Sequence, residues 1–229
     1  MTERFHATLL AATASERQAL FSQPLILRAL RGEVSRPAYR DFLQQAYHHV
    51  RHTVPLLQAC RARIAARADT RLAWLLPALD EYIEEESGHE QWILDDIAAA
   101  GGDRAQAEAS LPGHAAEVMV AYAYDQIARG NPLGFFGMVL VLEGSSVALA
   151  LNAADRIQQA LDLPDAAFSY LRSHGTLDQE HTAHFELLMD DIDDPADQAA
   201  IVHAARRFYR LYGAVFAEIA ATADMLEAA

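Results

Sequence analysis

The stretch at residues 133–161, LGFFGMVLVLEGSSVALALNAADRIQQAL, decides the fold. It begins with an apolar tract at residues 135–142 and continues in alanine, leucine and valine without a proline, which predicts a long buried helix. The apolar tract is much shorter than the roughly 20 residues that a membrane-spanning helix needs. The stretch is therefore predicted to be the central helix of a helical core.

The rest of the chain has the same helical character, because glycine and proline fall between periodic segments and no run alternates apolar with polar residues. Helices are predicted within residues 1–15, at 24–30, from a cap at Ser35 to about residue 68, and at 70–100, 114–129, 133–161, 165–173, 174–190 and 195–229. Pro55 is expected to kink the third of these, and Pro77 to kink or break the fourth. The fold class is therefore all-α, a single domain over residues 1–229 built as a bundle of about seven helices.

Composition restricts the classes of partner. The 18 basic and 32 acidic side chains give a formal charge of −14, which disfavours nucleic acids and anionic membranes. Cys60 is the single cysteine, so no intrachain disulfide can form. With no signal peptide evident in the first residues, we expect a cytoplasmic protein.

The first chemical motif is EYIEEESGHE at residues 81–90. Glu86 and His89 are three residues apart and are predicted to share one face of one helix. Glu-x-x-His is the spacing with which di-iron carboxylate bundles bring a carboxylate and an imidazole to one metal pair. A glutamate-rich run is more often a solvated helix face, so this motif needs support from elsewhere.

The second motif is Glu143, at the end of the apolar tract of the central helix. A buried carboxylate needs a cation, a metal ion or a proton. Either Glu143 is a metal ligand, or the chain emerges to solvent there, or an arginine pairs with it.

The third motif is HGTLDQEHTAH at residues 174–184. His174, Asp178 and His181 follow one another at i, i+4 and i+7, which is one stripe of a helix and a compact ligand set for iron, manganese or zinc. His184, one turn further, is a candidate to support these ligands. Together the three motifs offer three carboxylates and three histidines, a set that suits iron better than a thiolate-rich structural zinc site.

A further histidine group lies before Pro55. His48 and His52 share a helix face and could bind a metal, line a substrate pocket, support the ligands by hydrogen bonds, or form a packed polar cluster. Arg51 and Arg172 are candidates to hold a substrate carboxylate.

The order of these motifs resembles the haem-oxygenase-like di-iron oxidases and oxygenases, known as iron-containing redox enzymes, which share their fold with thiaminase II and the PQQ-synthesis oxidase. The resemblance runs from about residue 39 to residue 185. It implies a seven-helix fold, two iron ions held by Glu86, His89, Glu143, His174, Asp178 and His181, O2 as the oxidant, and a homodimer.

Many family members place the first glutamate seven residues before the histidine, and Tyr82 occupies that position here. Glu86 matches the closer spacing of the alkene-forming fatty-acid decarboxylases, while Glu85 and Glu81 remain open as alternatives. Tyr82 itself is expected beside the metals.

The sequence therefore predicts an O2-dependent di-iron oxidase or oxygenase acting on a small organic acid, fatty or amino-acid-like, by oxidative decarboxylation or C–C cleavage. One alternative is a metal-free enzyme, either a thiaminase II-like hydrolase that uses Cys60 or a cofactorless oxidase. Another is an iron-binding helical protein without enzymatic activity. Haem binding is disfavoured because His6 is a poor proximal ligand.

Overall fold

The computed structural model describes residues 4–67 and 70–227, without the side chains of residues 175–181 and 226–227. The described residues form helices and no strands, which confirms the all-α prediction. The α-helices are α1 Phe5–Ala12, α2 Ala14–Phe21, α3 Pro24–Arg31, α4 Arg36–Val50, α5 Thr53–Ala65, α6 Leu75–Glu85, α7 His89–Ala99, α8 Arg104–Ala109, α9 His114–Arg129, α10 Phe136–Leu161, α11 Ser169–Asp190 and α12 Pro195–Glu227. Short 3₁₀ helices lie at Thr70–Leu72, Pro132–Phe135 and Asp165–Ala167.

The helices outnumber the seven predicted because prolines and glycines break the longer ones. Pro55 lies in the first turn of α5, and the chain breaks before it, between α4 and α5. Proline has no N–H to donate to the carbonyl of Arg51, so the break falls there and not at Pro55 itself. Pro77 likewise lies in the first turn of α6, which confirms a break in the predicted helix at residues 70–100.

The break between α6 and α7 changes the first motif. Glu86 ends α6, His89 begins α7, and Gly88 between them has a φ of +93°. The prediction that Glu86 and His89 project from one continuous helix is therefore wrong. In contrast, α11 runs without interruption through His174 and joins two segments that were predicted to be separate helices.

Side chains cap the starts of two helices, the first at the predicted Ser35. The Ser35 hydroxyl oxygen accepts a hydrogen bond from the amide of Ala38 at 3.4 Å. Asp194 Oδ1 accepts from the amides of Ala196 at 2.7 Å and Asp197 at 3.2 Å, and these bonds lower the pKa of Asp194. Each cap satisfies amides that have no partner inside the helix.

Helix α10 is the centre of the bundle and packs against α3, α11 and α12. Gly137 lies where α10 crosses α12, and a Cβ at this position would be 2.5 Å from the amide nitrogen of Ala205. The segment Pro132–Leu161 is long and apolar enough to cross a membrane, with a mean hydropathy of 1.8, but 56% of its apolar window is buried inside the protein. Such burial is typical of a core helix.

Candidate metal site and its cavity

Three predicted ligands meet inside the bundle. Glu86, His89 and His174 each offer a ligand atom within 4.8 Å of the other two. Glu86 and His89 are buried, and His174 is half-buried. Nδ1 of His89 lies 3.1 Å from Oε2 of Glu86. The group therefore brings together side chains from the end of α6, the start of α7 and α11.

Aromatic packing fixes the two imidazole rings. His89 stacks on Trp92 with ring centroids 4.1 Å apart, and His174 meets His89 edge-on at 5.0 Å. Nδ1 of His174 lies 3.1 Å from the carbonyl oxygen of Tyr170 and donates to it. In a neutral His174 ring, Nε2 is then the nitrogen with the lone pair, as in the usual arrangement of metal-binding histidines.

Asp96 joins the two helices that carry these histidines. Its Oδ1 accepts from the amide of Ser169 at 3.0 Å and from the Ser169 hydroxyl, and its Oδ2 accepts from the amide of Tyr170 at 2.9 Å. Burial raises the pKa of Asp96, while these hydrogen bonds oppose the increase. Because Asp96 lies on α7 and the amides belong to the first turn of α11, this carboxylate sets the position of His89 relative to His174.

A largely aliphatic and aromatic cavity lies beside the cluster, between α3, α4, α5, α6, α10, α11 and α12. Its polar lining residues are Tyr39, His49, Thr53, Tyr82, Glu86, Glu143, Ser145, Ser146, Tyr170, His174 and Tyr212. Glu86 and Glu143 are the carboxylates of this wall, and no lysine or arginine of the described chain lines it. The cavity is thus apolar over most of its wall, with acidic and imidazole groups on the part that includes the cluster.

The structure distinguishes among the predicted carboxylate ligands. Glu86 is buried and lines the cavity, whereas Glu81 and Glu85 are exposed and do not. Glu143 is half-buried in the wall of the same cavity. The side chains of the remaining two predicted ligands, Asp178 and His181, lie outside the described residues.

Several predicted pocket residues lie elsewhere. Nε2 of His48 is 2.9 Å from the Ser110 hydroxyl oxygen, and Nδ1 of His52 is 3.1 Å from the Tyr124 hydroxyl oxygen. The Arg51 guanidinium lies over the Tyr47 ring, 5.4 Å from its centroid. Neither histidine lines the cavity, and neither does Arg51, because the end of α4 and the start of α5 direct them toward other elements.

Arg172 and His184 are also absent from the cavity wall, whereas Tyr82 is part of it. Arg172 forms an ion pair with Asp155 at 2.9 Å and donates to the side chain of Gln158. The centroid of the His184 ring lies 5.9 Å from that of Tyr82, so His184 contacts a residue of the wall without lining the cavity itself.

His49 is the residue that the sequence analysis missed. It is 1% exposed and lines the cavity, and its Nδ1 lies 3.0 Å from the carbonyl oxygen of Gln45. Its Nε2 is buried without a hydrogen-bond partner among the described residues. Burial lowers the pKa of His49 to about 4, so the ring is neutral near pH 7.

Cys60 is remote from this chemistry. Its thiol is fully buried, donates to the carbonyl oxygen of Pro132 at 3.5 Å, and is absent from the cavity wall. Burial raises the pKa of the thiol to about 12. A thiol in this state is a poor nucleophile, because the thiolate is the reactive form.

Comparison with known families and structures agrees with the geometry. Residues 40–213 match the model of a family described as iron-containing redox enzymes. No protein of curated function matches significantly. A structure from Shewanella denitrificans, described as a domain of unknown function with a heme oxygenase-like fold, is 21% identical, with a TM-score of 0.85 and coverage of 99% of this chain and 96% of that one.

Two further structures have the same fold. A TenA homologue from Pseudomonas syringae is 10% identical, with a TM-score of 0.78 over 94% of this chain and 92% of the other. Heme oxygenase-1 from the cyanobacterium Synechocystis, in complex with heme, is 15% identical, with a TM-score of 0.74 over 99% and 96%. The fold is therefore heme oxygenase-like.

Proposed function

Because this chain belongs to the family of iron-containing redox enzymes, we propose that it is a non-haem di-iron enzyme that uses O2 to oxidise a small organic acid. The observation that carries the proposal is the buried cluster of Glu86, His89 and His174 beside an apolar cavity. Carboxylates and neutral imidazoles are the donors that non-haem iron prefers.

The residues present fit two iron ions. Glu86, His89 and His174 would hold one ion, and Glu143 in the same cavity wall would contribute to the second. Asp178 and His181 complete the proposed ligand set, because α11 is continuous and keeps positions 174, 178 and 181 on one stripe of the helix. Ferrous ions bound there would supply electrons for the reduction of O2.

The protein's own residues position the substrate and exclude water. The wall of the cavity follows α10 from Glu143 to Ile157, a distance of roughly 21 Å at the rise of an α-helix. Aliphatic side chains line most of this length, so an unbranched carbon chain can lie along α10 with its polar end toward the cluster. This shape favours an aliphatic acid over a compact amino acid.

The metal-free hydrolase would need a reactive Cys60. The thiol is buried, has a raised pKa and lies outside the cavity wall, so no described feature favours that alternative. We therefore expect Cys60→Ala to retain substrate-dependent O2 consumption.

The direct test is an anaerobic Fe(II) titration of the purified protein, followed by mixing with O2 and aliphatic acids of increasing length. We expect two ferrous ions per chain and O2 consumption that depends on the acid. His174→Ala and Glu143→Ala should lose iron while remaining helical by circular dichroism, and His203→Ala, at an exposed position, is the matched control. Full iron occupancy in both site variants would refute the assignment.

A further inference from the structure

His49 places a hydrogen-bond acceptor in the cavity wall. The Gln45 carbonyl can only accept a hydrogen bond, so Nδ1 of His49 carries the proton in that contact. In the neutral ring, Nε2 then presents a lone pair on the side opposite the Gln45 backbone. The edge of the Tyr212 ring, with its centroid 5.8 Å from that of His49, packs against the imidazole and restricts its rotation.

This acceptor is unsatisfied within the described protein. A buried acceptor without a donor destabilises the protein that contains it, so such a group usually has a ligand or a water molecule as its partner. His49 shares this wall with the apolar Phe42 and Val50 and with His174 of the cluster.

We propose that His49 is a substrate-binding residue whose Nε2 accepts a hydrogen bond from a hydroxyl or ammonium group near the polar end of the substrate. This inference rests on the proposed function for the identity of the cavity as a substrate site. An ionised carboxylate offers only acceptors and cannot satisfy Nε2. The substrate is then an aliphatic acid that also carries a hydroxyl or amino group, and not an unsubstituted fatty acid.

A metal-binding role is the alternative for His49. The group of ligand atoms within 4.8 Å of one another consists of Glu86, His89 and His174 and includes neither His49 nor the proposed ligand Glu143, so this distance does not separate the two roles. His49 lines a cavity whose wall is largely apolar, where the donor group of a bound ligand would be the natural partner of Nε2. The iron content of His49 variants decides between the two roles.

The test compares three probes of equal chain length: a primary alkanol, a primary alkylamine and the isomeric methyl ether, which has no donor. Binding is followed by the fluorescence of Trp92, which stacks on His89, in both the metal-free and the anaerobic Fe(II)-loaded protein. We expect the native protein to bind the alkanol or the amine about ten-fold more tightly than the ether. The relative affinities of alkanol and amine identify which donor the site prefers.

His49→Phe should remove this preference without weakening binding of the ether, and His49→Gln, which restores an acceptor, should recover part of it. His52→Phe is the matched control, because His52 lies nearby on the chain but does not line the cavity. His49→Phe should also leave the melting temperature of the empty protein unchanged or raised, since it removes an unsatisfied acceptor. A merely structural histidine would instead lower it and weaken all three probes equally.

Equal affinity of the native protein for alkanol and ether would overturn the inference, as would loss of iron from His49→Phe, which would make His49 a metal ligand. Because the probes bind without O2 or turnover, these results are separate from the iron titration. Failure of that titration with a retained alkanol preference would reject the di-iron function and leave the binding role of His49 intact.

Discussion

At the scale of single residues, the geometry of the candidate metal site depends on Asp96. Its carboxylate accepts three hydrogen bonds at the start of α11 and is itself fully buried on α7. We expect Asp96→Ala to lower the free energy of unfolding by about 2–3 kcal/mol, because the buried donors lose their acceptor. Denaturant titration measures this loss, and an Fe(II) titration should show weaker binding, because His174 loses its fixed position relative to His89.

The preceding residue provides the control. Asp95 pairs with Arg104 at the surface, and its side chain is 67% exposed. Asp95→Ala should change the free energy of unfolding by less than about 1 kcal/mol, as exposed ion pairs contribute little. Equal losses of stability in the two variants would contradict the role of Asp96 as the link between α7 and α11.

The sequence predicted part of the site because ligand spacing is local. Glu86, His89 and His174 were identified from their spacing, and the structure brings them together. His49 was missed because both it and His48 are buried, and which of the two lines the cavity depends on how α4 is rotated against its neighbours. A usable signal was present: Tyr39, Phe42 and His49 follow one helical stripe, and all three line the cavity.

At the scale of helices, the turn between α6 and α7 determines how Glu86 and His89 meet. Gly88 has a φ of +93°, and a Cβ there would have nothing within 4 Å, so a side chain would bring backbone strain and no clash. Gly88→Ala should cost about 1–2 kcal/mol and weaken iron binding several-fold, because relief of the strain moves the two ligands apart. Thermal unfolding and Fe(II) titration measure the two effects.

Gly101 provides the control for the prediction about Gly88. It has a φ of +81° with equally open surroundings, but it follows the far end of α7. Gly101→Ala should therefore cost a similar free energy of unfolding without changing iron affinity. If both variants lose iron in proportion to their stability, the turn at Gly88 has no particular role in the site.

A second pair of glycines tests the packing of the central helix. A Cβ on Gly137 would lie 2.5 Å from the Ala205 amide nitrogen, whereas one on Gly144 would have nothing within 4 Å. Gly137→Ala should destabilise the protein by about 1–3 kcal/mol, because the backbones of α10 and α12 must separate. Gly144→Ala on the same helix should stabilise it by up to about 1 kcal/mol through helix propensity, and chemical denaturation should give opposite signs for the two.

Helix type was predictable from periodicity, but helix continuity was not. The prediction for α9 agrees with His114–Arg129, where a glycine precedes the helix and another follows it. The predicted helix at residues 35–68 is divided into α4 and α5. A proline is compatible with the first turn of a helix, so its presence alone does not mark a break. Its missing N–H shows where the preceding helix must end. The left-handed conformation at Gly88 similarly depends on the packing of α6 and α7, which local sequence does not specify.

At the scale of the whole molecule, the bundle places the polar candidate metal site and an apolar cavity one after the other along α10. Glu143 marks the polar part, and Leu149, Ala153 and Ile157 extend the wall away from it. Burial of these aliphatic groups stabilises the fold whether or not a ligand is present, so the same residues serve as core and as binding surface. We therefore expect the length of ligand that can bind to depend on the size of the side chains far from Glu143.

This division of roles predicts the effect of shortening the cavity. Ala153 lies ten residues after Glu143, about 15 Å along the helix, so Ala153→Phe should fill the distant part of the cavity and leave the iron site unchanged. We expect the variant to lose affinity for long aliphatic acids by ten-fold or more while it keeps affinity for short ones, as measured by Trp92 fluorescence across a chain-length series. Val147→Phe, at an exposed position of α10 that does not line the cavity, should leave the length preference unchanged. If Ala153→Phe lowers the affinity for acids of every length equally, the carbon chain of the ligand does not lie along α10. Only a ligand extended along this helix reaches farther from Glu143 with each added carbon.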